Sequence, residues 1–149
     1  YNLLGHKGTT APKVDAKKAY ARYKSVGNAI KERLIRSCHD ASDGGLGVAI
    51  SESAFSGGLG ADIDLIKIPA DNIDRDDIIQ ISESESRLLG SVKQAAKARF
   101  EEIFADDDIA LIGKVTTGST LNIKRLNGSE DAIDLKALQT AHKNTLKDL

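Results

Sequence analysis

The chain has 149 residues, with 40% hydrophobic and 29% charged side chains and a net charge of −1. That is one domain's worth of sequence with enough apolar content for a core, so a soluble globular domain is expected. No apolar run is long enough to cross a bilayer, no signal peptide opens the chain, and a single cysteine, Cys38, excludes an internal disulfide framework and suits the cytoplasm.

Residues 1–12 read as a linker, with a strand expected around Tyr1, Leu3 and Leu4. Gly5-His6-Lys7-Gly8 lacks the spacing and the trailing Lys-Ser/Thr of a phosphate-binding loop. The chain contains no methionine and starts at Tyr1, so residues 13–149 are expected to be one domain cut from a longer protein. The charged side chains before residue 37 are basic apart from Asp15 and Glu32, whereas those of residues 40–87 are acidic apart from Lys67, Arg75 and Arg87. No nucleic-acid motif accompanies the basic stretch, so it reads as a solvated or domain-docking face, with no nucleic-acid or membrane partner.

Val14 to Leu34 has helical periodicity, with Ala16, Ala19, Tyr20, Tyr23, Val26, Ile30 and Leu34 on one face and Asp15 as the cap. Ile35 to Cys38 reads as a short buried strand. It feeds an acidic, glycine-rich turn, His39-Asp40-Ala41-Ser42-Asp43-Gly44-Gly45, and a helix over Gly45 to Ser56 closed by Gly57-Gly58. The turn admits two readings. Asp43 or Ser42 caps the helix, with Gly-Gly forming the bend. Alternatively the helix N-terminus faces an anion, with a magnesium ion between the carboxylates and phosphate oxygens.

Leu59 to Leu65 alternates, with Leu59, Ala61, Ile63 and Leu65 inward and Gly60, Asp62 and Asp64 outward. Pro69 to Asp77 reads as a charged loop, and Ile78 to Ile81 leads into Ser82-Glu83-Ser84-Glu85-Ser86-Arg87. A strand is expected from Arg87 to Gly90 and a helix along Val92, Ala95, Ala96, Phe100, Ile103 and Phe104. Asp106-Asp107-Asp108 end it as a solvated turn, because adjacent carboxylates point apart. Two strands follow, Ile109 to Val115 and Ser119 to Leu126, joined at Thr116-Thr117-Gly118. Asn127-Gly128 marks a tight turn, Ile133 a short strand, and Asp134 caps a final helix bearing Leu135, Leu138, Ala141 and Leu146. The order of elements argues an α+β domain, a mixed sheet with helices packed on it.

Four of these stretches carry a resemblance. His39-Asp40-Ala41-Ser42-Asp43-Gly44-Gly45-Leu46 resembles the His-Asp-x-Ser-Asp-Gly-Gly-Leu signature of the phosphoribosylformylglycinamidine synthase family, in its last domain of aminoimidazole-ribonucleotide-synthetase type. Ala49 to Phe55, with Glu52, resembles the helix that follows. Ser82 to Arg87 resembles the Ser-Glu-Ser-x-Ser-Arg motif, and Ile112-Gly113-Lys114-Val115 the Ile-Gly-x-Val strand. The likeness runs from Val14 to Leu146. Its tail resembles the small form of the enzyme, which works with separate glutaminase and small helper subunits. Ile81 and Leu88 depart from the family, which usually carries aromatic residues at those places.

The resemblance implies a three-layer, partly ferredoxin-like domain and an ATP-dependent ligase. ATP activates the amide oxygen of formylglycinamide ribonucleotide, and glutamine-derived ammonia displaces the phosphate. It places ATP phosphates at Asp40, Ser42, Gly44 and Gly45, with Asp40 as one Mg2+ ligand shared with a partner domain. Ser82, Glu83, Ser84 and Arg87 would bind the ribonucleotide substrate, or Glu83 and Arg87 would pair with each other. His39 is either a general base or a hydrogen-bonded histidine at a strand end, and Glu52 is expected to pair with the basic first helix. The upstream domains of the same enzyme and a homodimer are the other expected partners. An alternative is a non-catalytic nucleotide-binding or dimerisation module, or a domain of a related enzyme: aminoimidazole ribonucleotide synthetase, selenophosphate synthetase, thiamine-monophosphate kinase or a hydrogenase maturation factor.

Overall fold

In the computed structural model residues 13–145 and 147 are described. The 1–12 linker, the strand expected at Tyr1 to Leu4 and the Leu146 position lie outside them. Helix α1 spans Ala16–Lys31. It starts as expected, with Asp15 Oδ1 accepting from the Lys17 and Lys18 amides at 3.0 and 3.1 Å. Its apolar stripe is only partly used. Ala19 and Ala29 are buried, but Tyr20, Tyr23 and Ile30 are 72%, 52% and 55% exposed. The small alanines let α1 lie close against the rest of the domain, while Tyr20 and Ile30 stay largely in solvent and Tyr23 reaches back only through its hydroxyl, to Ser86.

Strand β1, Ile35–Asp40, runs two residues beyond the expected end and pairs antiparallel with β3, Leu88–Val92. This is a two-stranded ribbon, so Arg36, Ser37 and Cys38 are exposed rather than buried. Helix α2, Gly45–Gly57, buries Leu46, Ala49, Ile50 and Ala54 and ends at Gly58 in the left-handed region, φ 62. Strand β2 is Gly60–Asp64, and Leu65–Lys67 form a single 3-10 turn. Leu59 lies before the strand and is exposed, against the expected alternation.

The charged stretch at 69–77 holds the start of a short helix, α3, Asp76–Ile81. Val92 belongs to β3, and the next helix, α4, is confined to Lys97–Ile103 after a 3-10 turn at Gln94–Ala96. The strand expected from Ile109 forms only at Gly113–Thr116, as β4. Strands β5, Thr120–Lys124, and β6, Glu130–Asp134, form a hairpin around Gly128, φ 85, and α5 follows at Leu135–Asn144, capped by Asp134.

The molecule is α+β, and its described residues form five α-helices and strands divided between two sheets. The second sheet has the order β4-β2-β5-β6. Although β4 and β5 are joined by a three-residue turn at 117–119, they do not pair. Strand β2 lies between them, antiparallel to β4 and parallel to β5. The turn wraps the start of β2 so tightly that Gly60 N–H bonds Gly118 O at 2.6 Å. A Cβ at Gly60 would sit 2.5 Å from the Thr120 carbonyl oxygen. One core joins Leu46, Ile50 and Ala54 of α2, Ala61 and Ile63 of β2, Leu121 and Ile123 of β5, and Leu135 of α5. Asp62 points away from this core, accepting from Asn122 Nδ2 at 2.8 Å and lying 3.3 Å from Lys114 Nζ.

A second attachment holds the ribbon side. The Arg22 guanidinium of α1 reaches both oxygens of Asp107, at 2.7 and 2.5 Å, and donates to Ser86 O at 2.8 Å. Asp107 is therefore a half-buried ion-pair partner rather than part of a fully solvated turn. Arg22 hydrogen bonding holds its carboxyl below the usual carboxylate range and raises the guanidinium in turn. A carboxylate whose pKa is depressed by folding contributes stability above its unfolded value, about 4, and loses it as pH falls through the lower folded value. Asp107→Asn should cost about 1–3 kcal/mol at neutral pH. It should also flatten the loss of stability below about pH 4; urea unfolding across that range measures both.

Candidate functional site

The acidic turn and the Ser-Glu-Ser segment, some forty residues apart in sequence, form one rim. Ribbon pairing sets Asp40 opposite Leu88, and the Ala41 amide bonds Arg87 O at 3.1 Å. Beyond that point the chain leaves the ribbon and enters α2 through Gly44 and Gly45, with φ 76 and 71. Neither Ser42 nor Asp43 caps the helix. The cap residue is Gly44, and its N–H donates to Glu83 Oε1 at 2.7 Å. A carboxylate from the second motif thus occupies a place that the helix dipole makes favourable for an anion.

Gly45 has a second reason to be glycine. A Cβ there would lie 2.6 Å from the Ile81 carbonyl carbon and 2.7 Å from the Gln80 and Ile81 oxygens. The N-terminus of α2 is therefore seated directly on the last turn of α3. Gly47 continues this contact, facing Gln80. Without a side chain at 45, Ile81 and Ser82 can pass close enough for Glu83 to reach Gly44.

The side chains at the rim remain open. Asp40 is 61% exposed, and Ser42 and Asp43 are exposed too. The Ser42 hydroxyl donates to Asp40 Oδ2. This bond first, with a backbone hydrogen bond and neighbouring His39, holds the Asp40 carboxyl below its ordinary range. Across the rim, Ser82 and Ser84 hydroxyls lie 3.1 Å apart. Arg87 is half-buried, donates to Ile79 O at 3.2 Å, and has its pKa drawn down by burial. Among the described residues it forms no ion pair with Glu83, which points to Gly44 instead. Behind the rim lies a cavity of about 650 Å³, lined by Ser82, Ser84, Arg87, Leu46, Ile79 and Phe104 among others.

His39 is fixed from both sides. Its Nδ1 meets the Asp40 carbonyl oxygen at 2.6 Å and its Nε2 meets Glu52 Oε2 at 2.9 Å. Both ring nitrogens thus face oxygens that accept, an arrangement of a histidine held in place rather than one offering a free lone pair. Glu52 pairs with His39 and with His142 of α5, at 3.3 Å, instead of with α1. Sequence reasoning missed three contributors. Glu83 as the partner of Gly44 has no local spacing to betray it. Arg22, which with Tyr23 holds Ser86 (Tyr23 Oη to Ser86 Oγ, 3.1 Å), lies on a face read as solvated. His142 is a single histidine with no accompanying motif.

The rim makes two separable predictions. Gly45→Ala should cost about 3–5 kcal/mol, since it adds both a strained φ and a collision with backbone. Glu83→Ala should cost only about 1 kcal/mol, with Glu83→Gln close to wild type because an oxygen acceptor remains. Chemical denaturation of the three variants tests the order.

Comparison with known proteins bears on the family and the fold. The family described as AIR synthase related protein, C-terminal domain, matches residues 2–125. Phosphoribosylformylglycinamidine synthase subunit PurL of Thermococcus sibiricus is 33% identical over 115 residues, which is 77% of this chain and 16% of that protein. The chain therefore spans about a sixth of this curated relative's length. Thermotoga maritima PurL complexed with FGAR is similar at a TM-score of 0.76 and 22% identity, over 91% of this chain and 23% of that one. The same protein complexed with ATP is similar at 0.70 and 23% identity, over 79% and 21%. With its fold matched and most of its length covered by the family, the chain belongs to the AIR synthase related proteins, as a C-terminal domain of that type.

Proposed function

We propose that this chain is the C-terminal domain of a phosphoribosylformylglycinamidine synthase, occupying residues 13–149 behind the 1–12 linker. In that enzyme it contributes one wall of the site where formylglycinamide ribonucleotide is converted to the amidine with ATP and ammonia. One observation carries the reading: the Gly44 N–H to Glu83 bond joins the two signature stretches into a single rim, with Asp40 and Ser42 open to a neighbour.

The reaction asks for bound phosphates, a hydroxyl-rich substrate contact and compensation of negative charge. Ser42 offers its hydroxyl to a phosphate. Gly44 keeps its main chain partly open to a phosphate oxygen, although its N–H is already committed to Glu83, whereas Gly45 is buried against α3 and serves packing instead of phosphate access. Ser82, Ser84 and the Arg87 guanidinium form the substrate side, and Glu83 holds the two sides together. His39 braces the turn. Asp40 provides one hard oxygen ligand of the kind magnesium takes. Among the described residues no group of three His, Cys, Asp or Glu is gathered for a metal. Asp40 therefore fits as one arm of a shared site, completed by ATP oxygens, water or another domain. Magnesium bound there would offset phosphate charge.

The upstream domains of the enzyme would face this rim, and separate glutaminase and small helper subunits would supply ammonia, in the cytoplasm. No helix among the described residues is long and apolar enough to cross a membrane. A second copy of the chain is a further candidate partner when it is studied alone.

In the full-length enzyme, Asp40→Asn should lower turnover by on the order of 10²–10³-fold with folding unchanged, and residues 1–149 alone should show no ligase activity. Steady-state assays of amidine formation with purified enzyme check both. Unchanged turnover in Asp40→Asn would remove the assignment of Asp40. Loss of thermal stability and of tightly held nucleotide ahead of any loss of turnover would instead favour a non-catalytic nucleotide module.

A further inference from the structure

We infer that His142 of helix α5 is a positioning residue for the acidic turn, acting through Glu52 on His39. Glu52 uses both carboxylate oxygens: Oε2 lies 2.9 Å from His39 Nε2 and Oε1 lies 3.3 Å from His142 Nδ1. A glutamate with one partner can swing about its last torsions. With a nitrogen on each oxygen its carboxylate plane is set. The Phe55 ring sets His142 in turn, with ring centroids 5.4 Å apart and planes inclined at 49°. On the far side, His39 Nδ1 meets the Asp40 carbonyl oxygen at 2.6 Å. The next peptide N–H, that of Ala41, bonds Arg87 O. Four parts of the chain are linked in this order: α5, α2, the end of β1 and Arg87, the residue just before β3.

Helix α5 lies beyond residues 2–125, the stretch over which the family description matches. Support from His142 is therefore an addition to what the signature residues supply among themselves. It also gives Glu52 a purpose that its place on α2 does not suggest. With a side chain 25% exposed it is neither a core residue nor a free surface charge. The inference rests on the 39–46 turn being the ligand-facing turn. His142 touches no ligand in this account. It holds the carboxylate that holds the histidine that fixes the Asp40 peptide.

The test uses the uniformly 15N-labelled chain, at one fixed pH, reading the ring nitrogens of His39 by long-range 1H–15N correlation and amide exchange over residues 40–44. His142→Phe keeps an aromatic ring against Phe55 but removes the nitrogen that faces Glu52. His142→Gln keeps a donor. Glu52→Gln removes the shared carboxylate. The expected result is a shift of the His39 Nε2 resonance and several-fold faster exchange at 40–44 in His142→Phe and Glu52→Gln, with both restored in His142→Gln. A His39 spectrum and exchange unchanged in His142→Phe would overturn the inference, as would a His142→Gln variant no better than His142→Phe. The site reading fails separately. Full turnover in Asp40→Asn would remove the ligand-facing role of the turn while leaving the His39 response to His142 intact.

Discussion

The structure depends on one close approach, that of the α2 N-terminus to the last turn of α3. Only a glycine at 45 permits it, because any Cβ would enter the Gln80–Ile81 backbone. Once the approach is made, the rest of the site follows with little freedom. Ser82 starts the next segment beside Gly44, Glu83 reaches the Gly44 amide, and Arg87 leads back into the ribbon opposite Asp40. The glycines therefore do more than bend the chain. They bring two polar stretches, each incomplete alone, to one edge.

The same geometry explains why the edge is polar yet firmly supported. Ala41, Gly45 and Leu46 are buried, so the turn is anchored through its backbone and small residues. Asp40 and Ser42 alternate with them and face out. Behind, α1 braces Ser86, whose φ of 59 is unusual for a residue with a side chain. Arg22 takes the Ser86 carbonyl and Tyr23 its hydroxyl. A left-handed serine next to Arg87 persists because two side chains from another element over-determine it. The basic face of α1, read from sequence as solvent or docking surface, thus does part of its work inside the domain.

Much of this was legible in the chain. Periodicity located α1, α2 and α5, the Asp15 and Asp134 caps are where spacing put them, and Asn127-Gly128 does close a hairpin. The order of the four family-like stretches pointed to the fold now observed. What escaped is what local pattern cannot encode. The stripe of α1 has the right period but its aromatic members stay exposed, because periodicity reports which residues share a face and not whether anything covers it. The ribbon strand looked buried because Ile35 and Cys38 are apolar, yet a two-stranded sheet has too little area to cover them. Helix α3 hid in a charged stretch, since its first turn is Asp76-Asp77, favourable at a helix start but indistinguishable from a loop. At the site, the identity of the polar residues was readable and their partners were not. Glu83 was grouped with Arg87 on spacing, and the fold gives it Gly44 across a gap of 39 residues.

The placement of β2 between β4 and β5 has a consequence for how the chain is made. Its parallel neighbour, β5, is complete only at Lys124, sixty residues after β2 ends at Asp64. During synthesis the apolar side of β2 and the facing side of α2 must wait for that distant segment to emerge from the ribosome. Closure of so long a loop precedes any stabilising sheet contact. Nascent chains halted before residue 124 would expose Ala61, Ile63 and Leu65 as an unfinished edge, a natural place for a chaperone to hold on.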